Sequence, residues 1–164
     1  MKMILVALGS NRAGPWGNPQ ETVQRALTHL NRGGLRLKRA SRLLVSSPYG
    51  VTDQAPFVNA VAVIETGFSP ERLLARLHHI ERMAGRRRTL RWGPRTLDLD
   101  LIDYHGLISK PPARPVLPHP GIADRIFVLR PIGEIARHWR HPVTRQTART
   151  MLQRLDPAGE GGEI

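Results

Sequence analysis

The chain has 164 residues, 40% of them hydrophobic, which suits one compact domain with a core and is too little for two of ordinary size. Its 25 Lys and Arg against 13 Asp and Glu give a formal net charge of +12, a balance whose default partner is nucleic acid or an anionic membrane surface. Cysteine is absent, which excludes disulfides, thiolate zinc sites, iron–sulfur clusters and cysteine nucleophiles together.

Met3 to Leu8 is a continuous apolar run, the pattern of a fully buried first strand, stopped by Gly9-Ser10-Asn11. The run is too short for the apolar region of a signal peptide and no cleavage pattern follows it. No apolar stretch approaches the ~20 residues that span a bilayer, so a soluble, cytoplasmic protein is expected. A Pro/Gly-rich loop, 13–19, leads to a helix with Val23, Ala26, Leu27 and Leu30 on one face, closed by Gly33-Gly34.

Leu35 to Ser46 and Phe57 to Glu65 read as two strands. In the second, Val58, Ala60, Ala62 and Ile64 alternate with Asn59, Val61 and Val63. The connection over 47–56 is too long for a tight hairpin and is a functional-loop candidate. Ser69-Pro70-Glu71 starts a second helix, with Ser as N-cap and Leu73, Leu74, Leu77 and Ile80 as its apolar stripe. A loop with five arginines and no acid, Gly85 to Arg95, precedes a fourth strand, Thr96 to Tyr104. A Pro-rich segment and a helix through Phe127 to Ile135 follow, and the Gly/Glu-rich tail from about 156 frays.

Strand, helix, strand, strand, helix, strand, then an appendage is the ferredoxin-like α+β order: an antiparallel sheet with helices packed on one face. One domain over 1–164, with a core of about 3–136, is expected.

The sharpest chemical feature is Leu97-Asp98-Leu99-Asp100-Leu101. On a strand the leucines face the core and both carboxylates emerge on the other face, roughly 7 Å apart at about 3.3 Å rise per residue. Two adjacent carboxylates repel and need a positive charge between them. They are either a solvated or arginine-neutralised strand face, or a pair for Mg²⁺, which takes one or two carboxylates and completes its shell with water and phosphate. The basic loop ending in Arg95, just upstream, favours a polyphosphate bridged by metal and clamped by guanidinium groups. No glycine-rich phosphate loop or dinucleotide fingerprint is present.

Arg91-Trp92-Gly93-Pro94-Arg95-Thr96-Leu97-Asp98-Leu99-Asp100-Leu101-Ile102 resembles the signature of the 6-hydroxymethyl-7,8-dihydropterin pyrophosphokinase family. Leu8-Gly9-Ser10-Asn11, Phe57-Val58-Asn59-Ala60-Val61, Glu81 with Gly85-Arg86, and Leu117-Pro118-His119-Pro120 leading to Arg125-Ile126-Phe127 stand in the family's order around it. The resemblance implies transfer of the β,γ-diphosphate of ATP to the pterin hydroxymethyl oxygen in folate biosynthesis, with AMP released. It implies two Mg²⁺ ions on Asp98 and Asp100, and Arg86 and Arg95 as catalytic arginines. It further implies ATP contacts from Leu74, His78, Glu81, Arg88, Arg91, Trp92, His119 and Arg125. The pterin contacts it implies are Phe57 and Phe127 as stacking rings, Asn59 as the edge-reading amide, and Ser46, Ser47, Tyr49, Trp92 and Asp98. The arginine loop and the 47–56 loop are expected to close over both substrates, and the chain to act as a monomer without nucleic-acid or membrane partners.

The rival reading is an RNA-binding module on the same fold, which wants aromatic residues on a basic sheet face. Aromatics are only 5% here, the RNP-type pattern is absent, and the acid pair would repel a phosphate backbone.

Overall fold

The structure, a computed structural model, describes residues 2–46, 55–86 and 95–156. The strands are β1 (Ile4–Ser10), β2 (Leu35–Ala40), β3 (Leu44–Ser46), β4 (Phe57–Thr66) and β5 (Asp98–Tyr104). The helices are α1 (Pro19–His29), α2 (Pro70–Met83), α3 (Ile126–Ile135) and α4 (Ala148–Leu155). The sheet order is β2-β4-β1-β5, with β3 also against β4, and every pairing is antiparallel. This is the ferredoxin-like arrangement the element order implies.

Local chemistry sets the helix starts. Asn18 accepts the Glu21 amide at 2.8 Å while the Glu21 carboxylate accepts the Asn18 amide at 3.1 Å, a reciprocal cap for α1. Ser69 caps α2 through the Arg72 amide at 3.2 Å. Val23, Ala26 and Leu30 of the first helical segment and Leu73, Leu77 and Ile80 of α2 are fully buried against Ile4, Val6, Leu8, Leu97, Leu99 and Leu101. The two helices of the repeat therefore share one face of the sheet, as expected.

The appendage covers the other face. Met3, Leu5, Ala7, Val61, Val63 and Ile102 pack with Val128, Leu129 and Ile132 of α3, with Trp139, and with Ala148 and Met151 of α4. This second layer explains why β1 is buried at every position in an antiparallel sheet, where one face commonly meets water. A buried hydrogen bond fastens it to β5: Trp139 Nε1 donates to Asp103 at 2.8 Å, and the other oxygen of that carboxylate accepts the Gly106 amide at 3.0 Å in the turn that follows the strand.

The segment read as one strand over Leu35 to Ser46 is two. Ser41 leaves the regular ladder, its backbone and hydroxyl bonding Val61, and Arg42 turns out to meet Glu134 of α3 at 3.1 Å. The first strand runs past the expected stop at Gly9: Gly9 pairs with Asn59 on one side and Asp98 on the other. Helix α4 is an addition to the elements read from sequence.

Candidate active site

The site lies where α3 begins and no longer covers the sheet. An open cavity of about 690 Å³ there is lined by β1 (Ala7, Leu8, Gly9), by Ser46, Phe57, Asn59 and Ala60, by Arg95, Asp98 and Asp100, and by Arg125, Phe127 and Val128. Strand alternation does the sorting. Asn59 and Phe57 point to the same face as Val61 and Val63, while Asp98 and Asp100 point to that of Ile102. The three leucines of the Asp-containing segment are buried on the opposite face, as the spacing predicts.

Gly9 sits between the two halves. A Cβ at Gly9 would lie 3.3 Å from Asn59 Oδ1 and 3.5 Å from Phe57 Cδ1, so its bare backbone keeps that wall open. Asn59 is buried, and its amide donates to Ser46 Oγ at 2.6 Å, which fixes the plane of the amide. Phe127 enters from the first turn of α3 and lines the same cavity as Phe57, with Arg125 at the position that caps the helix.

The charged end is a network. Arg86 Nη1 donates to Glu81 Oε2 at 2.6 Å and to Asp98 Oδ1 at 2.7 Å, and Arg95 Nη1 donates to Asp98 Oδ2 at 3.1 Å. The Leu99 amide donates to the same Glu81 oxygen at 2.8 Å, tying the end of α2 to β5. Asp100 has looser neighbours, Arg125 Nη1 at 3.6 Å and His119 Nε2 at 3.9 Å. His119 Nδ1 accepts the Gly121 amide at 3.1 Å, so the neutral ring carries its proton on Nε2, facing Asp100.

Burial drives the titration of this cluster. Burial and then the Asp98 charge push the Asp100 carboxyl up to about 7, with Arg125 opposing. Burial, assisted by Arg125, pushes the His119 imidazole down to about 4, which keeps it neutral at physiological pH. Burial raises the Glu81 carboxyl against the pull of the Leu99 amide and Arg86. Burial alone would lower Arg86, but Asp98 and Glu81 outweigh it and hold the guanidinium above its ordinary value.

The donor set suits a hard dication. Two carboxylates of one strand face open to one cavity, and their mutual repulsion is what a cation relieves. Among the described residues no cluster of three or more His, Asp or Glu forms a protein cage for a metal, so water or phosphate oxygens would complete its shell.

Of the residues implied by the resemblance, Ser46, Phe57, Asn59, Arg95, Asp98, Asp100, Arg125 and Phe127 line the cavity. Glu81 and Arg86 adjoin it through Asp98, and His119 through Asp100. Leu74 and His78 are half-buried on α2 and do not line it. Ser47, Tyr49, Arg88, Arg91 and Trp92, with most of the 47–56 connection, lie outside the described residues.

Sequence reasoning undervalued two residues. Asn11 donates its backbone N–H to the Arg95 carbonyl at 3.0 Å, accepts the Arg95 amide on its side-chain Oδ1 at 2.7 Å, and donates from its side-chain amide to the Ala55 carbonyl at 3.1 Å. Gly9 opens the wall described above. Their only signal was the short Gly9-Ser10-Asn11 run, which a strand end explains equally well.

A ferredoxin-like sheet carrying a carboxylate pair, a guanidinium cluster and an aromatic, amide-bearing wall in one cavity defines a polyphosphate-transferring enzyme with a flat heterocyclic acceptor. Residues 5–137 match the model of the 7,8-dihydro-6-hydroxymethylpterin-pyrophosphokinase (HPPK) family. The chain is 42% identical over 143 residues to the 2-amino-4-hydroxy-6-hydroxymethyldihydropteridine pyrophosphokinase of Pseudomonas aeruginosa, covering 87% of this chain and 85% of that one. It is also 42% identical over 132 residues to the enzyme of that name from Haemophilus influenzae, covering 80% and 79%. Among solved structures, an HPPK-DHPS of Plasmodium falciparum has a TM-score of 0.73 at 12% identity over 93% of this chain. The chain spans 43% of that larger protein, and the likeness speaks for the fold. The chain belongs to the 7,8-dihydro-6-hydroxymethylpterin-pyrophosphokinase family and is a pyrophosphokinase of folate synthesis.

Proposed function

We propose that the cavity binds ATP and 6-hydroxymethyl-7,8-dihydropterin together and that its residues divide between them. The observation that carries this reading is the single cavity lined both by Asp98, Asp100, Arg95 and Arg125 and by Phe57, Asn59 and Phe127. The pterin ring lies between Phe57 and Phe127, its edge read by the Asn59 amide that Ser46 orients. Its hydroxymethyl oxygen then faces the carboxylates.

Asp98 and Asp100 would hold Mg²⁺, two ions with one triphosphate. The chemistry such a dication would supply there is screening of the phosphate oxygens and polarisation of the acceptor oxygen. Arg86, Arg95 and Arg125 bind the phosphates, and His119 donates a hydrogen bond from Nε2 while staying neutral. The new bond joins the hydroxymethyl oxygen to the β-phosphorus, the bond from that phosphorus to the bridging oxygen of AMP breaks, and the hydroxyl proton is released. Negative charge grows on the departing AMP, where arginines count most because they meet it in the transition state.

We read the protein as a monomer. One sheet backs both hydrophobic clusters, and we read residues 1–164 as one domain. No described helix is long and apolar enough to cross a membrane. We place the protein in the cytoplasm, where ATP is made available to such enzymes.

The test is formation of AMP from ATP that depends on added hydroxymethyldihydropterin and Mg²⁺. Asp98→Asn is expected to lower its rate by at least about a hundredfold, the scale of losing a preorganised charge interaction in a transition state. Full activity in that variant removes the carboxylate pair from the mechanism.

A further inference from the structure

Neither oxygen of Asp98 is open. Oδ1 is taken by Arg86 at 2.7 Å and Oδ2 by Arg95 at 3.1 Å, both within charge-assisted hydrogen-bond distance. Asp100 differs, its basic neighbours standing at 3.6 and 3.9 Å. A carboxylate held on both oxygens by guanidinium groups already has its charge compensated, and a dication beside it meets two like charges until an arginine withdraws.

The network also holds a place for the withdrawn arginine. Arg86 Nη1 already touches Glu81 Oε2 at 2.6 Å, and Glu81 is fixed by the Leu99 amide on the strand between the two aspartates. Glu81 is buried behind the site, with 5% of its side chain exposed, and so acts through Arg86.

We propose that Arg86 and Arg95 guard Asp98 against free divalent cations, and that Glu81 is the positioning residue that retains Arg86 when Asp98 releases it. The inference rests on reading Asp98 and Asp100 as the metal pair. A cation arriving alone must displace an arginine and then lie beside it, like charge against like charge. A cation arriving with a triphosphate brings the anion that the displaced guanidinium groups take up. Metal and nucleotide affinities are thereby coupled, each raising the other by the same factor.

The experiment is titration of the whole chain with Mn²⁺, read by electron paramagnetic resonance, with and without α,β-methylene-ATP. In the unaltered protein the nucleotide complex is expected to bind Mn²⁺ at least about tenfold more tightly than the nucleotide-free protein, the size of one ordinary coupling between sites. Arg86→Met is expected to tighten nucleotide-free Mn²⁺ binding about tenfold and to shrink the nucleotide's effect. Arg86→Lys keeps the charge on a side chain one atom shorter and without the planar fork, and should fall between. Glu81→Gln retains an acceptor for the Leu99 amide; it should weaken nucleotide-free Mn²⁺ binding about threefold, an effect lost in the Arg86→Met background. Arg82→Met removes an equal charge from the exposed side of α2 and should change the affinity less than about twofold.

The proposal is overturned if Arg86→Met and Arg86→Lys leave nucleotide-free affinity unchanged, or if Arg82→Met matches Arg86→Met, which would reduce the effect to general electrostatics. Failure of the underlying reading looks different: Asp98→Asn would then keep its Mn²⁺ binding in the nucleotide complex.

Discussion

At the residue scale the site depends as much on an absent side chain as on charged ones. Gly9 needs no special backbone angle, so alanine fits the strand and gains a few tenths to about 1 kcal/mol of backbone entropy. Its Cβ would nevertheless meet Asn59 Oδ1 at 3.3 Å and Phe57 Cδ1 at 3.5 Å, the two groups assigned to the pterin. Gly9→Ala is therefore expected to keep or raise the melting temperature while raising the KM for the pterin about tenfold, with the KM for ATP little changed, on the scale of one disturbed contact. An equal rise in both constants would place the effect elsewhere. The case also shows what the sequence hides. Asp98 and Asp100 are legible because alternation is a strict geometric rule. The roles of Gly9 and Asn11 are not, because they are set by partners distant in sequence, Asn59 and Arg95; Glu81 is legible only through the family resemblance, its bond to the Leu99 amide being invisible to spacing.

At the element scale, the strands and helices of the ferredoxin-like repeat are readable because each carries one clear period and a recognisable cap. The break at Ser41 is not, since it follows from Arg42 meeting Glu134 of a helix more than ninety residues on. Helix α4 had a local signal, Thr147 as N-cap with Ala148, Met151 and Leu152 at helical spacing, but only eight residues in which to show it. Its approach turn depends on His141, whose Nδ1 accepts the Val143 amide at 3.1 Å and the Thr144 amide at 3.2 Å. Burial lowers this imidazole below its ordinary 6.5, with Asp103 opposing. Between the lowered value and 6.5 the unfolded chain binds more protons than the folded one, so acidification through that window removes stability. His119, lowered to about 4, adds to this loss, while Asp100, raised to about 7, opposes it. The His141 share is isolated by urea unfolding of the unaltered chain and of His141→Asn, whose side-chain oxygen can accept the same amides without titrating: between pH 7.5 and pH 5.5 the variant should lose less stability, or gain more, than the unaltered chain, and an identical pH dependence would place the proton uptake at other groups.

At the scale of the whole molecule, the net charge of +12 separates into two populations. Arg86, Arg95 and Arg125 face Asp98 or Asp100, and a triphosphate accounts for them. Arg137, Arg140, Arg145, Arg149 and Arg154 are exposed on the appendage. Among the described residues, the acids of the appendage from α3 onward are already engaged, Glu134 with Arg42 and Asp156 with Arg130. Like charges crowded on the layer that covers the second sheet face repel one another in the folded state and less in the expanded one. The Debye length falls from about 30 Å at 0.01 M salt to about 8 Å at 0.15 M, which screens exposed pairs while leaving the half-buried site pairs largely intact. Raising NaCl over that range should therefore stabilise the protein, by about 1 kcal/mol or some 2–4 °C in Tm for a chain of this size. Chloride is the proper anion for the measurement, because phosphate or sulfate would also occupy the arginine cluster and stabilise by binding. A Tm that falls with NaCl would mean that favourable ion pairs outweigh the repulsion. Replacing Arg145, Arg149 and Arg154 with Gln should abolish most of the salt response while leaving kcat unchanged, since none of the three lines the cavity.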